Sequence, residues 1–406
     1  MVVIKEVSAK SILDSRKEKT ISVTIKTNVG KFSASSPSGK STGKFEAKIY
    51  KESLEQDIET LEKFSDYFQN EILEKFSDLR RVEDILDRHV GANTLFALES
   101  AILKAMAKEQ KKEVWEIVAS SHEFFANAKN PKNLPRLVGN CIGGGKHSES
   151  IDGKKPDFQE FLLIPDSKSV IKSLNVNKSA KINAGQILQT VDDKFKKTKN
   201  DENAWMTFFD DKRVLEILKD LKDNIYDEMK IYLDEGLDIA ASGFYKRKKY
   251  HYKNPKLERT PEEQLNYLSN LIKNFNLLYI EDPFEENDFE NFTKLLKKFP
   301  DRLIVGDDLI VTNVKRLKKA IEEKSVNAII VKPNQNGSLI EVKRVCELAK
   351  KHNIKLVFSH RSGETKENIL ADLAFGFQAD FFKCGITGEE REAKLNRLIE
   401  IEKSLK

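Results

Sequence analysis

Three acids each follow a short apolar run: Asp238 in Leu237-Asp-Ile-Ala-Ala, Glu281 in Tyr279-Ile-Glu-Asp-Pro, and Asp307 in Val305-Gly-Asp-Asp. If those runs are strands opening onto one mouth, their carboxylates converge in a low dielectric. A hard divalent cation relieves the repulsion, and Mg2+ is its natural form. The competing reading makes each acid a helix N-cap, which accounts for one such acid better than for three in the same context. Two lysines obey the same rule, Lys332 after Ala328-Ile-Ile-Val331 and Lys383 after Asp380-Phe-Phe382. A lysine drawn into a barrel beside other cations loses affinity for its proton and can serve as a base. Opposite a metal-bound carboxylate substrate, such a base can remove a weakly acidic α-proton, because Mg2+ stabilises the dianionic enediolate.

These residues need elements that bring them together. Phe158–Ile164, Leu277–Ile280, Leu303–Val305, Ala328–Val331 and Leu356–Phe358 read as short apolar strands alternating with charged amphipathic helices such as Val314–Lys324 and Leu339–His352. Strands of Ile, Leu and Val buried on both faces and separated by helices predict a parallel sheet. The polar clusters at Glu281, Asp307, Lys332 and His360 follow one another at 26, 25 and 28 residues, one βα unit each. That regularity favours a β/α barrel, in which reactive residues gather at the C-terminal strand ends. An open doubly wound sheet is the structural alternative, but no glycine-rich phosphate turn opens one.

The N-terminal part has a different texture. Ile21–Thr27 alternates as a strand and Asn28-Val-Gly30 turns it, whereas apolar residues from Ser53 to about Glu123 recur at helical spacing. This predicts a small α+β domain over 1–126, a polar linker at Asn127–Pro135, and the barrel over 136–406. The chain has 406 residues, net charge +5 and 39% hydrophobic residues, enough to bury sizeable cores and too apolar for a disordered polyelectrolyte. No run approaches a membrane span, the first residues carry charge too early for a secretory signal, and three scattered cysteines favour a reducing, cytoplasmic setting. The aromatic-basic run Lys246–Lys253 could suit a single-stranded nucleic acid, but a solvated loop or hairpin is the simpler reading and no nucleic-acid partner is expected. Gly39-Lys-Ser-Thr42 imitates the end of a phosphate-binding Walker loop, yet the earlier glycine that motif requires is Ala34.

The ordered motifs Ile12-Leu-Asp-Ser-Arg16, Pro37-Ser-Gly-Lys-Ser-Thr-Gly43, Gly91-Ala-Asn93, Gln159-Glu-Phe161, Ile280-Glu-Asp-Pro-Phe284, Gly306-Asp-Asp-Leu309 with Val311-Thr-Asn313, Lys332-Pro-Asn-Gln335 and Ser359-His-Arg-Ser-Gly-Glu-Thr365 resemble the enolase family along nearly the whole chain. The resemblance implies an α/β fold, a small N-terminal α+β domain followed by an enolase-type β/α barrel. It also implies the Mg2+-dependent, reversible dehydration of 2-phosphoglycerate to phosphoenolpyruvate in glycolysis and gluconeogenesis. Residue by residue, it implies that Asp238, Glu281 and Asp307 hold one Mg2+ and that Ser41, in a mobile loop, meets a second that arrives with substrate. It makes Lys332 the base at C2, Lys383 the partner of the substrate carboxylate, and Glu202, with Glu160 beside it, the acid for the departing 3-hydroxyl. His147 and His360 match active-site histidines, and Arg361 and Ser362 match the phosphate grip. A homodimer is expected on the same ground.

The chain departs from the family pattern around the substrate. Asn203-Ala-Trp-Met-Thr-Phe208 replaces a glycine-rich run, Lys40 replaces a small residue, Lys17-Glu-Lys19 replaces a Gly-Asn-Pro turn, Gly243 replaces a glutamate, and Ile386–Arg391 is altered and shortened. The departures leave three readings open: a working dehydratase of this family, a paralogue acting on a related phosphorylated or carboxylated hydroxy acid, and a non-catalytic binding protein. The retained Glu160, Glu202, Lys332 and Lys383 set speaks against the last, since buried charges destabilise a fold unless a ligand balances them.

Overall fold

A computed structural model describes residues 1–40, 43–69, 71–121 and 133–405. Ser41 and most of the expected linker lie outside them. The chain opens with the strands β1 (Val2–Leu13), β2 (Lys19–Thr27) and β3 (Gly30–Ser35), which with the short β4 (Ile72–Leu73) form an antiparallel sheet of order β3-β2-β1-β4. Ile21, Val23 and Ile25 alternate onto its buried face, where the helix Ala92–Gln110 packs. This helix is buried nearly all round, with fourteen of its nineteen residues inaccessible, because it is wedged between that sheet and the second unit of the fold.

The second unit is a closed eight-stranded barrel. Its strands are β5 (Arg136–Gly143), β6 (Glu160–Pro165), β7 (Leu233–Asp238), β11 (Tyr279–Glu281), β12 (Leu303–Gly306), β13 (Ala328–Val331), β14 (Lys355–Ser359) and β15 (Phe381–Lys383). Between β7 and β11, the strands β8 (Tyr245–Lys246), β9 (Lys249–Lys253) and β10 (Lys256–Arg259) form a small separate sheet. Alternation along the barrel strands fills two compartments: Val138, Leu162, Tyr279, Val305, Ile330 and Val357 pack inside the barrel, while Leu163, Leu237, Ile304, Ile329 and Leu356 face the surrounding helices.

One expectation is corrected here. The sheet is not wholly parallel, since β6 runs antiparallel to both β5 and β7. A strand buried on both faces carries the same apolar composition in either direction, so residue pattern cannot reveal the reversal. The reversal matters for the site, because it brings the first residue of β6, Glu160, into register with Asp238 at the last residue of β7. The basic run Lys246–Lys253 is the β8–β9 hairpin, turned through Arg247 and Lys248 in left-handed conformation. Its Tyr250 and Tyr252 are buried against the barrel and offer no stacking face to a nucleic acid. No described helix is long and apolar enough to cross a membrane.

Candidate active site

The strand ends deliver the predicted residues to one cleft, lined by Glu160, Glu202, Asp238, Asp307, Lys332 and Lys383, with His147, His360, Arg361 and Ser362 at its walls. None of the three acids caps a described helix. Lys383 Nζ lies 3.0 Å from Asp238 Oδ2, 2.8 and 2.9 Å from the two oxygens of Glu281, and 3.3 Å from Glu160 Oε2. Lys332 Nζ pairs closely with Asp307 Oδ2. Asp307 is therefore grouped more tightly with Asp282 and Asp308 than with the other two acids, and Asp238 and Glu281 close around the Lys383 ammonium instead.

Electrostatics follow from this crowding. Burial, then repulsion from Asp238, pushes the Glu281 carboxyl up to about 8, although Lys383 pulls it the other way. Burial and neighbouring acids also raise Asp282 well above the usual carboxylate range and Asp308 to about 7. The sequence expectation that the two lysines lose affinity for their protons is not what the structure shows. Burial does lower both, but Asp307 beside Lys332, and Asp238, Glu160 and Glu281 around Lys383, outweigh it and raise them. The physical reason is local charge: carboxylates, not cations, are each lysine's nearest neighbours.

The second pair of acids is split. Burial, reinforced by Glu202, holds Glu160 well above the usual range, and its Oε2 makes no hydrogen bond. Glu202 is equally buried, yet His147, His360, Arg391 and a 3.0 Å hydrogen bond from Asn140 Nδ2 bring it below that range. The surroundings thus push the two carboxyls in opposite directions, Glu160 up and Glu202 down. Burial would lower His147, but Glu202 and Asp201 raise it, the latter across a 3.0 Å contact to Nδ1. Burial draws His360 well below the ordinary imidazole range, although Glu202 opposes it.

Arg361 is 4% exposed and clamped. Nη1 donates to Asn334 Oδ1 at 3.2 Å and Nη2 to Glu46 at 3.0 and 3.2 Å. Gly39 passes so close that a Cβ there would lie 2.0 Å from Nη2, which explains a glycine at a position that the Walker imitation might otherwise claim. Ser362 Oγ accepts from Lys40 N at 2.8 Å, so the unusual Lys40 is tied to the grip by its backbone and to Asp201 by its ammonium at 3.3 Å.

Several partners escaped the sequence reading. Tyr279 donates to Glu281 Oε2 at 2.6 Å, and its place two residues earlier on the same strand face was the available signal. Gln159 Nε2 donates to Asp238 Oδ2 at 3.1 Å. Nothing in the sequence pointed to Asn140 beneath Glu202 or to Glu46 opposite Arg361. The donor set fits a hard cation: it consists of oxygens, and burial together with repulsion between neighbouring acids raises several of them. These acidic groups could hold a divalent metal ion.

Comparison with known proteins agrees with this architecture. Residues 4–118 match the model of the enolase N-terminal domain, and residues 131–406 that of the enolase C-terminal TIM barrel domain. The enolase of Methanosphaera stadtmanae is 36% identical over 99% of this chain and 97% of its own length. That of Natronomonas pharaonis is 35% identical over 99% of both chains, and that of Pyrobaculum aerophilum is 40% identical over 68% of this chain and 66% of its own. With both domains matched and full-length relatives above 30% identity, the chain belongs to the enolase family.

Proposed function

We propose that the protein converts 2-phosphoglycerate to phosphoenolpyruvate and water, reversibly. The observation that carries the reading is the meeting, in one buried cleft, of two lysines, a split pair of glutamates and a clamped arginine. Asp238, Glu281 and Asp307, which lie here against Lys383 and Lys332, would hold one Mg2+ and Ser41 a second. When bound, it would supply positive charge against the negative charge that gathers on the substrate carboxylate.

The chain's own residues divide the remaining work. Lys332 takes the C2 proton; burial lowers its proton affinity and Asp307 beside it raises it, so neutralising Asp307 would favour the free amine. As the C2=C3 bond forms, the C3–O bond breaks. The Glu160–Glu202 pair, in which burial raises the proton affinity of Glu160, delivers a proton to the departing hydroxyl, which leaves as water. Lys383 faces the substrate carboxylate. His147 and His360 flank the glutamates, the first with its proton affinity raised by the nearby acids and the second with it lowered by burial. Arg361 and Ser362 receive the phosphate, with the guanidinium already fixed for a forked contact. Burial of the whole set excludes water from the carbanion-like stage.

The retained base and acid pair favours this reading over a non-catalytic binder, which gains nothing from two buried lysines among acids. The three buried free cysteines fit the reducing cytoplasm, and family membership supports the expectation of a homodimer. A coupled assay with 2-phosphoglycerate tests the reading: phosphoenolpyruvate should form with Mg2+ present and stop when EDTA is added. No product from 2-phosphoglycerate, with turnover of another phosphorylated hydroxy acid, would assign the site to a paralogue's reaction instead.

A further inference from the structure

The helix Val170–Val191 packs on the outer face of β5 and carries Lys181, only 3% exposed. Its Nζ donates to the carbonyl oxygen of Asn203 and, at 2.6 Å, to Thr387 Oγ1. Asn203 immediately follows Glu202 and holds a left-handed backbone conformation, φ +63°. Thr387 lies in the segment after Lys383. One side chain thus bridges two of the segments in which this chain departs from the family pattern, and both border Glu202.

Trp205 locks the same turn from the other side. Its indole Nε1 donates to the Lys181 carbonyl at 2.7 Å, and its backbone N–H to Cys141 O at 2.9 Å. Its own carbonyl accepts from Gly143 N at 2.9 Å. Gly185, one turn further along the helix, leaves room for the ring: a Cβ there would come within 3.0 Å of it. The Lys181 ammonium lies 5.9 Å from the Trp205 ring centroid. A buried amine is costly unless its donors are met, and here they are met by groups whose placement fixes the turn.

We infer that Lys181 is a positioning residue for the reaction, holding the Asn200–Asn203 turn so that the Glu202 carboxylate is aimed at the departing hydroxyl. The inference rests on the role of Glu202 proposed above. Burial draws the Lys181 amine down to about 8; Cys141 and Glu392 oppose this, and Lys199 and Arg391 add to it. A neutral amine keeps two N–H donors, so both hydrogen bonds outlast the loss of its charge and the positioning does not depend on it.

The test separates the two halves of the chemistry. Lys181→Met keeps the hydrocarbon and removes the donors; Thr387→Val removes one acceptor isosterically and guards against misfolding of the first variant. Exchange of the C2 proton of 2-phosphoglycerate with D2O reads Lys332, and phosphoenolpyruvate formation reads the glutamates. Lys181→Met should keep exchange within about threefold of wild type while product formation falls about 100-fold, the scale of a 1 Å misplacement. Thr387→Val should show the same split at smaller amplitude. Amide hydrogen exchange at Glu202, Asn203 and Ala204, whose N–H groups bond Asn200, should quicken at least about tenfold in both variants. Equal loss of both rates, or unchanged protection of those amides, would overturn the inference. A wild type that forms no product would instead refute the proposed function, leaving the amide readout to decide the role of Lys181.

Discussion

Gly39→Ala is a small change with a large expected consequence. The new Cβ would stand 2.0 Å from Arg361 Nη2 and 2.7 Å from Cζ, and tolerable contact begins near 3.0 Å, so the guanidinium must retreat by about 1 Å. A surface arginine would swing away at little cost. Arg361 is 4% exposed and held by Asn334 at 3.2 Å and Glu46 at 3.0 Å, so retreat breaks or stretches bonds to a charged group. A hydrogen bond from the displaced guanidinium to the phosphate contributes about 1.5–3 kcal/mol, so losing one corresponds to a ten- to hundredfold loss of affinity at ~1.4 kcal/mol per decade. Because a phosphate grip acts equally on ground and transition states, the loss should fall on KM, with kcat changed by less than about threefold. Steady-state kinetics with 2-phosphoglycerate, accompanied by a thermal melt to establish folding, would measure it. A KM within about twofold of wild type would refute both the clamp and the assignment of Arg361 to the phosphate.

Lys332→Ala should abolish C2 proton exchange and turnover together, by at least the ~100-fold typical of a lost general base, while the melting temperature stays near that of wild type; retained exchange would show another base. Glu160→Gln should spare C2 exchange and slow product formation by about 100- to 10,000-fold, because it removes the carboxyl whose proton affinity burial raises; equal loss of both rates would contradict that role. Far from the reaction, Glu235 is 1% exposed, with Lys222 at 3.6 Å and no hydrogen bond to either oxygen, and burial pushes it from 4.5 to about 7. The folded state then binds more protons than the unfolded state between those values, so stability falls as pH rises through that window, by up to about 3 kcal/mol at ~1.36 per unit. Urea unfolding at pH 5 and pH 8 should show Glu235→Gln gaining stability relative to wild type at the higher pH; parallel curves would contradict it.

What was legible in the sequence follows from how directly each feature is written there. Five of the eight barrel strands and the acids and lysines at strand ends were visible because an apolar run followed by a charge is a local pattern, repeated at nearly constant spacing in the later part of the chain, whereas β5 was not named. The helix Leu339–Lys351 fell within one residue of its predicted end for the same reason. Strand direction is not a local property, so the reversal of β6 was hidden, and with it the reason why Glu160 lies at the start of a strand and still reaches the mouth. The direction in which proton affinity shifts at Lys332 and Lys383 was not legible because a sequence gives the presence of acids and bases but not which is nearest. The bonds from Glu46 to Arg361, Asn140 to Glu202 and Lys181 to Asn203 join residues far apart in the chain, and only the folded geometry could bring them into view.

The central claim is that these acids, lysines and the clamped arginine form one working site for 2-phosphoglycerate. Its most direct measurement is the absorbance of phosphoenolpyruvate formed by the purified full chain, followed with Mg2+, after EDTA, and again after Mg2+ is restored. The account predicts product formation that stops on chelation and returns on restoration. A fully folded protein that never forms phosphoenolpyruvate, or forms it equally well in EDTA, would contradict it.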